Sequence, residues 1–171
     1  MNFSLREATK QDAALIADLS QQTFFETFAA DNSKEDMHKF LNEQFTRGKL
    51  LLEVMQQDLQ FFLAYAGSEI AGYVKLRQGK QPASLGKAKA LEIARLYAVK
   101  TMIGKGVGKG LMQKSLDIAK AKNKEVIWLG VWEKNQRAID FYQNWGFEKF
   151  DEQDFLLGND LQIDWLMKKL L

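Results

Sequence analysis

A glycine- and lysine-rich segment, IGKGVGKGLM at residues 103–112, contains the residue types and spacing that best predict ligand binding in this chain. Its glycines alternate at Gly104, Gly106 and Gly108. Glycine permits positive φ angles and lets a ligand approach the backbone, and exposed N–H groups at a helix N-terminus bind anions. With Lys105 and Lys109 beside the glycines, the segment predicts a phosphate-binding loop. The alternative is a glycine-rich turn whose lysines serve only solubility.

The spacing of these glycines excludes two common nucleotide-binding motifs. A Walker loop needs a glycine five residues before its Gly-Lys pair and Ser or Thr after the lysine. Around Gly108 and Lys109, Ile103 and Gly110 occupy those positions. A GxGxxG dinucleotide fingerprint fails as well, because Lys109 or Leu111 stands where its third glycine is required. The loop therefore predicts pyrophosphate binding by a different kind of strand-to-helix turn.

A single acid lies inside the otherwise apolar segment LEIARLYAV, residues 91–99. Burying an unpaired carboxylate is costly, and burial favours its uptake of a proton. Glu92 is therefore a candidate general base. The alternatives are a salt bridge with Arg95 or another base, and an exposed position at the end of the strand.

The elements around the glycine loop follow the order strand, loop, helix, strand. Strand-like segments cover residues 91–99 and 125–132, and helical spacing covers residues 108–123. This order predicts a right-handed crossover between parallel strands. Another helix is predicted in NQRAIDFYQNWG, residues 135–146, and residues 154–168 are expected to return as strands.

The N-terminal part predicts helices followed by a hairpin. DAALIADLSQQTFFETF has helical spacing with Asp12 as its expected N-cap, and SKEDMHKFLNEQF repeats this with Ser33 and Asp36 in a capping-box arrangement. QFFLAYAGSEIAGYVKLRQ reads as two strands joined at Gly67 and Ser68. The whole pattern predicts one α/β domain over residues 1–171.

Composition limits the class of protein. With 171 residues, of which 46% are hydrophobic and 27% charged, the chain predicts a globular domain with an ordinary core. The absence of cysteine excludes disulfides, thiolate nucleophiles and cysteine metal sites. Because the first 20 residues contain Arg6, Glu7, Lys10 and Asp12, they predict neither a signal peptide nor a membrane anchor. We expect a cytoplasmic protein.

Charge is distributed unevenly along the chain. Residues 100–124 contain seven lysines and one acid, whereas residues 12–58 contain nine acids and four bases. This pattern favours an anionic ligand near the loop and a cationic one near the acidic region, although solvated helix faces would explain each half alone. Nucleic-acid binding is disfavoured, because the net charge is only +2 and no aromatic residue interleaves with the lysines.

Two segments carry a family resemblance. LYAVKTMIGKGVGKGLMQKSL and NQRAIDFYQNWGF resemble the signature segments of the GNAT acyltransferases, which use acetyl-CoA. Within that superfamily, LEIARLYAV, IWLGVWEKN, AIDFY and TFFETF are most similar to the PaiA-like polyamine N-acetyltransferases of Gram-positive bacteria. The likeness extends over residues 5–168. One departure is Ile103, which stands where the family has Gln or Arg and so removes one side-chain donor.

The resemblance implies a fold and a reaction. The expected GNAT fold has a mixed central sheet, N-terminal helices and the strand–pyrophosphate loop–helix crossover. The expected enzyme transfers acetyl from acetyl-CoA to a primary amine such as spermidine or spermine by direct attack in a ternary complex, without a metal. Acetylation of a protein N-terminus or another small amine, and a non-catalytic acetyl-CoA-sensing module, are the alternatives. A homodimer is possible for such domains.

The resemblance also implies roles for particular residues. Tyr142 would be the acid that protonates the CoA sulfur, its alternative being packing in a buried helical stripe; Glu92 would be the base, its alternative a water chain. Asn135 would contact the pantetheine arm or cap its helix. The implied cofactor-binding residues are Leu96, Tyr97, Ala98, Val99, Gly104, Lys105, Gly106, Val107, Gly108, Lys109, Asn135, Ala138 and Tyr142. The implied acceptor-binding residues are Phe24, Glu26, Phe28, Trp128 and Glu133.

Overall fold

The computed structural model describes residues 2–171 and contains one seven-stranded mixed sheet. The strands are β1 Phe3–Glu7, β2 Leu59–Ala66, β3 Glu69–Arg77, β4 Ala90–Ala98, β5 Val126–Trp132, β6 Glu148–Leu157 and β7 Asp160–Leu170. Their spatial order is β1-β2-β3-β4-β5-β7-β6, and only β4 and β5 pair in parallel. The predicted α/β class, the hairpin and the parallel crossover are therefore confirmed.

Five α-helices cover the two faces of this sheet. They are α1 Ala13–Phe28, α2 Lys34–Gln44, α3 Arg47–Val54, α4 Val107–Ala121 and α5 Gln136–Asn144. Ser33 caps α2 as predicted, because its Oγ accepts from the Asp36 N–H at 3.1 Å. Asp12 occupies the predicted N-cap position of α1, but its side chain makes no capping hydrogen bond: the carboxylate accepts from the Thr9 N–H at 2.8 Å and pairs with Arg6. No helix within residues 2–171 is long and apolar enough to cross a bilayer.

The sheet separates two hydrophobic cores, because successive side chains on a strand point to opposite faces. On one face α4 and α5 pack against the sheet, with a core that includes Leu91, Leu111, Met112, Ile127 and Met167. On the other face α1, α2 and α3 pack against it, with a core that includes Ile16, Phe24, Leu50, Leu63 and Tyr73.

The sheet opens between its two parallel strands. Residues Ala90 to Ile93 of β4 pair with Val126 to Leu129 of β5, and pairing stops there. On its other side β4 stays paired with β3, but the register slips so that Ala94 has no partner, which is the pattern of a β-bulge. The β5-facing edge of residues 94–98 is therefore free to bind a ligand.

Candidate active site

Two cavities meet at the gap between β4 and β5. One, of about 390 Å³, extends to the glycine-rich turn before α4, and we call it the loop cavity. The other, of about 380 Å³, lies toward α1, α2 and the β6–β7 hairpin, and we call it the aromatic cavity. Five residues line both cavities: Leu96, Tyr97, Asn135, Ala138 and Tyr142. All five were predicted from the sequence as cofactor-binding residues.

The loop cavity ends at the start of α4. Gly104 and Gly106 have φ angles of 80° and 96°, which non-glycine residues rarely adopt. Gly106 immediately precedes the helix, and Gly108 and Lys109 in its first turn also line the cavity. The loop therefore presents helix N-terminal N–H groups and one lysine to this cavity, as an anion site requires.

Three of the predicted cofactor-binding residues do not line either cavity. Lys105 is exposed between the two positive-φ glycines. Val107 is 1% exposed and belongs to the core beneath α4, and the Val99 N–H donates to the Ala71 carbonyl at 2.9 Å. Val107 and Val99 therefore position the loop from within the fold.

Tyr142 lies at the junction of the two cavities. It is 8% exposed, and its hydroxyl has no hydrogen-bond partner among residues 2–171. Burial raises the pKa of Tyr142 to about 12, so the phenol is protonated at neutral pH. A protonated hydroxyl that opens into a ligand site is suited to donate a proton.

Asn135 performs the structural role that the sequence offered as its alternative. Its Oδ1 accepts from the Ala138 N–H at 3.3 Å and so caps α5. Because the same residue lines both cavities, capping holds the N-terminus of α5 at the gap in the sheet. Tyr142 follows two turns later on α5, so the cap also fixes the position of the phenol.

Aromatic rings form much of the wall of the aromatic cavity. Phe24 and Phe28, both predicted as acceptor-binding residues, lie there with their ring centroids 4.5 Å apart. Trp132 packs its edge against Phe28, with 6.0 Å between the ring centroids. Asp154 and Asp164 bring two carboxylates into the same space. Rings and carboxylates together favour a cationic ligand.

Arg95, the one basic residue that lines the aromatic cavity, forms an ion pair with the largely buried Glu53. Arg95 Nη2 lies 3.4 Å from Glu53 Oε1, and Lys75 Nζ lies 3.0 Å from Glu53 Oε2. Burial first, and then the charge of Arg95, lower the pKa of Lys75 to about 8. Glu53 therefore balances part of the positive charge that Arg95 brings to the cavity.

The structure does not place Glu92 in either cavity. Its carboxylate is 9% exposed and accepts two hydrogen bonds from Arg77, at 2.6 Å to Nε and 2.9 Å to Nη2. This bidentate ion pair is the alternative role that the sequence left open for Glu92, with Arg77 rather than Arg95 as its partner. The geometry therefore does not favour Glu92 as the base.

Three predicted acceptor-binding residues also lie outside the aromatic cavity. Glu26 accepts from the Lys100 N–H at 2.9 Å and lines a smaller cavity with Thr27 and Arg137. Trp128 is 5% exposed in a separate small core, and Glu133 is exposed at the end of β5. Trp128 lies where β5 still pairs with β4, opposite Glu92, and Glu133 follows the last residue of β5.

Sequence reasoning missed Asp164. This residue lies on β7 and lines the aromatic cavity. Burial raises the pKa of Asp164 to about 6. The signal was present in the sequence, since LQIDWLM places one acid in an otherwise apolar strand, as LEIARLYAV does for Glu92.

Comparison with known proteins agrees with this geometry. Residues 16–147 match the Acetyltransferase (GNAT) family. An uncharacterized N-acetyltransferase of Lactobacillus delbrueckii subsp. lactis is 36% identical over 165 residues, which cover 96% of this chain and 95% of that one. The spermidine N(1)-acetyltransferase of Thermoplasma acidophilum is 26% identical over 163 residues, which cover 92% of this chain and 96% of that one.

A solved structure supports the fold. The PaiA N-acetyltransferase of Thermoplasma acidophilum, crystallised in complex with coenzyme A, superposes with a TM-score of 0.82 at 24% identity and covers 100% of both chains. This chain belongs to the GNAT family of acetyltransferases, and its fold is the GNAT fold. It is an acetyl-CoA-dependent acyltransferase.

The residues present fit acetyl-CoA. The unpaired edge of β4 at Leu96 to Ala98 offers backbone groups to a pantetheine arm, and the glycine turn with Lys109 offers N–H groups and charge to a pyrophosphate. No group of His, Asp and Glu within residues 2–171 is arranged to hold a metal ion.

Substituting Gly106 by alanine is expected to weaken CoA binding about tenfold. The left-handed conformation at φ 96° costs an alanine about 1–2 kcal/mol, so the loop would shift from its binding geometry. Titration calorimetry with CoA measures the change. Gly110→Ala is the matched control, because Gly110 has no positive φ and nothing lies within 4 Å of an added Cβ. Equal affinities for the two variants would contradict the assignment of the loop.

The Glu92→Gln variant is expected to be less stable than the wild type by about 2 kcal/mol, because it leaves the partly buried Arg77 without its counter-charge. Urea unfolding measures this loss. Glu152→Gln, which breaks the exposed pair with Lys149, is the control and should change stability by less than about 0.5 kcal/mol. A stable Glu92→Gln protein that has lost turnover would restore Glu92 as the base.

Proposed function

We propose that this acetyltransferase acts on a primary amine of a polyamine such as spermidine or spermine. The observation that carries the proposal is the aromatic cavity, where Phe24, Phe28 and Trp132 lie with the carboxylates of Asp154 and Asp164. One positively charged residue, Arg95, lines this cavity, and Glu53 partly balances its charge.

Polyamine chemistry matches these walls. A polyamine carries several ammonium groups separated by short methylene chains, so one molecule presents both cationic and apolar surface. Aromatic faces attract ammonium groups and also cover methylene groups, while carboxylates pair with the charges. The Thermoplasma acidophilum relative is named for an activity of the same kind, spermidine N(1)-acetylation.

The reaction is a direct transfer in a ternary complex. Acetyl-CoA supplies an activated acetyl thioester. The loop cavity, with the glycine turn, Lys109 and the free edge of β4, would hold the cofactor so that the acetyl group lies at the junction of the two cavities. An N–H of this free edge would polarise the thioester carbonyl, and holding the amine against it supplies much of the rate enhancement.

Tyr142 would complete the reaction as the acid. Its protonated phenol lies at the junction, where it would donate a proton to the departing sulfur. A chain without cysteine offers no thiol nucleophile, which is consistent with transfer that needs no covalent enzyme intermediate.

Release of free CoA thiol from acetyl-CoA tests the acceptor class. We expect turnover with spermidine and spermine, and much lower kcat/KM with lysine and with a short peptide that has a free N-terminus, because only the polyamines place several cations among the carboxylates and rings. Preferential turnover of the peptide or of lysine would contradict the polyamine proposal and identify that compound as the acceptor class. CoA binding without turnover of any amine would favour a sensing module.

The Tyr142→Phe variant is expected to lower kcat about 10²-fold with little change in the KM for either substrate, because it removes the proton donor and keeps the ring. Steady-state kinetics with the best acceptor measure both parameters. Tyr65→Phe is the matched control: the hydroxyl of Tyr65 bonds to Arg6 and lies outside both cavities. A kcat that falls equally in both variants would contradict the role of Tyr142.

A further inference from the structure

Asp164 lies at the point where the sheet opens. Its neighbours in the sheet are Trp132 on β5 and Gln153 on β6. Gly130, the next residue of β5 on the same face, has no side chain, and a Cβ built there would lie 3.4 Å from Asp164 Oδ2 and 3.2 Å from Gln153 Nε2. The carboxylate therefore extends into space that any larger residue at position 130 would fill.

Unlike three other acids around the gap, Asp164 has no partner for its carboxylate; Asp154, on the same cavity wall, also has none but is exposed. Glu92 is bonded to Arg77, Glu53 to Lys75, and Glu26 to a backbone N–H. Within residues 2–171, the Asp164 carboxylate accepts no hydrogen bond and has no cation within ion-pair distance. Burial without a partner disfavours its charged form, and this raises the pKa of Asp164 to about 6.

Asp164 and Tyr142 both influence the pKa of Tyr97. Burial raises the pKa of Tyr97 above its usual range, and the Tyr142 phenol and the Asp164 carboxylate both raise it further. Tyr97 lines both cavities, so Asp164 and Tyr142 both lie within electrostatic reach of one side chain at the junction. Groups on β7 and α5 thus line the same cavity.

We propose that Asp164 is the general base that removes the proton from the acceptor amine. This proposal rests on the acetyl transfer to an amine described above. It assigns to β7 the role that the sequence had suggested for Glu92 on β4. A carboxylate that is deprotonated at neutral pH but not held by a partner can both attract an ammonium group and accept its proton.

The protons balance as follows. Asp164 takes one proton from the ammonium group, and the freed electron pair of the nitrogen forms the N–C bond to the acetyl carbon. The C–S bond breaks and its electron pair leaves with sulfur, which receives the phenolic proton of Tyr142. The phenolate recovers the second proton lost by the new amide nitrogen. Asp164 then releases its proton to solvent, so one proton is released per turnover.

The other titratable groups that line the aromatic cavity are less suited than Asp164 to accept the proton of the amine. They are Asp154, Arg95, Tyr97 and Tyr142. From β6 the nearest neighbour is the uncharged amide of Gln153, and from β5 it is Trp132. Asp154 is exposed, Arg95 is bonded to Glu53, and the two tyrosines are protonated at neutral pH. Asp164 is therefore the partly buried proton acceptor.

Kinetics of the Asp164→Asn variant test the proposal. With the best amine acceptor, kcat should fall 10²-fold or more. The decline of kcat/KM below about pH 6 that is expected of the wild type should be absent from the variant. Asp117→Asn on the far part of α4, where the carboxylate accepts only from Gln113, is the matched control and should keep the wild-type profile. A higher KM for the amine with an unchanged kcat and pH profile would reduce Asp164 to a binding group and overturn the proposal.

A second measurement needs no acceptor. Because its pKa is raised in the folded state, Asp164 lowers stability once the pH exceeds its ordinary value near 4, and the penalty is complete above about 6. Urea unfolding should therefore show Asp164→Asn to be more stable than the wild type at pH 7.5, with a smaller difference at pH 4.5. If the two proteins differ in stability by the same amount at both pH values, Asp164 is not an unpaired carboxylate with a raised pKa, and its role as general base is overturned.

The two measurements separate the two proposals. If the wild type transfers acetyl to no amine while CoA still binds, the proposed function fails. A pH-dependent gain in stability would then still support the unpaired carboxylate on which the base depends. If the wild type turns over and Asp164→Asn does so with unchanged kcat, the function holds and the base assignment is wrong.

Discussion

The end of the pairing between β4 and β5 is the constraint on which the rest of the structure depends. After Ile93 and Leu129 the two strands no longer bond to each other, although β4 remains paired with β3 and β5 with β7. An unpaired strand edge in the interior of a sheet would be costly if it stayed dry, so it has to be satisfied by water or by a ligand. The fold thus lacks backbone hydrogen bonds between β4 and β5 beyond this point. The resulting gap is where both cavities lie and where they meet at Tyr142.

The surroundings, rather than the residue type, decide what each carboxylate near this gap can do. Glu92 and Asp164 both lie in strands of the same sheet, and both are largely removed from water. Arg77 gives Glu92 a fixed bidentate partner, whereas Asp164 has space over Gly130 and no cation. An acid whose charge is already compensated gains little from taking up a proton. The pKa of Asp164 is raised to about 6 and that of Tyr142 to about 12, and this separation supports the proposed roles of base and acid.

Local features of this enzyme could be predicted from its sequence, and features that join distant segments could not. The parallel crossover, the hairpin at Gly67 and the glycine turn at Gly106 depend on neighbouring residues, and all three are present. The partner of Glu92 could not be predicted, because the pairing of β3 with β4 brings Arg77 from another strand. For Asp164 the lone acid in LQIDWLM was a visible signal, but its place at the gap depends on β7 lying next to β5, which a pattern in one segment does not reveal.

Charges of opposite sign lie on the two sides of the gap in the sheet, and the carboxylates among them do not come from the acidic region at residues 12–58. Lysines surround the glycine turn, where a pyrophosphate would bind, and the carboxylates of Asp154 and Asp164 lie in the cavity on the other side of the gap. With the cationic acceptor proposed above, the two substrates would carry opposite charges, so each would be attracted to a different opening and repelled from the other. With a net charge of only +2, the chain cannot achieve this by its total charge. It does so by placing charges of opposite sign on the two sides of one break in the sheet, which is also where the two substrates must meet.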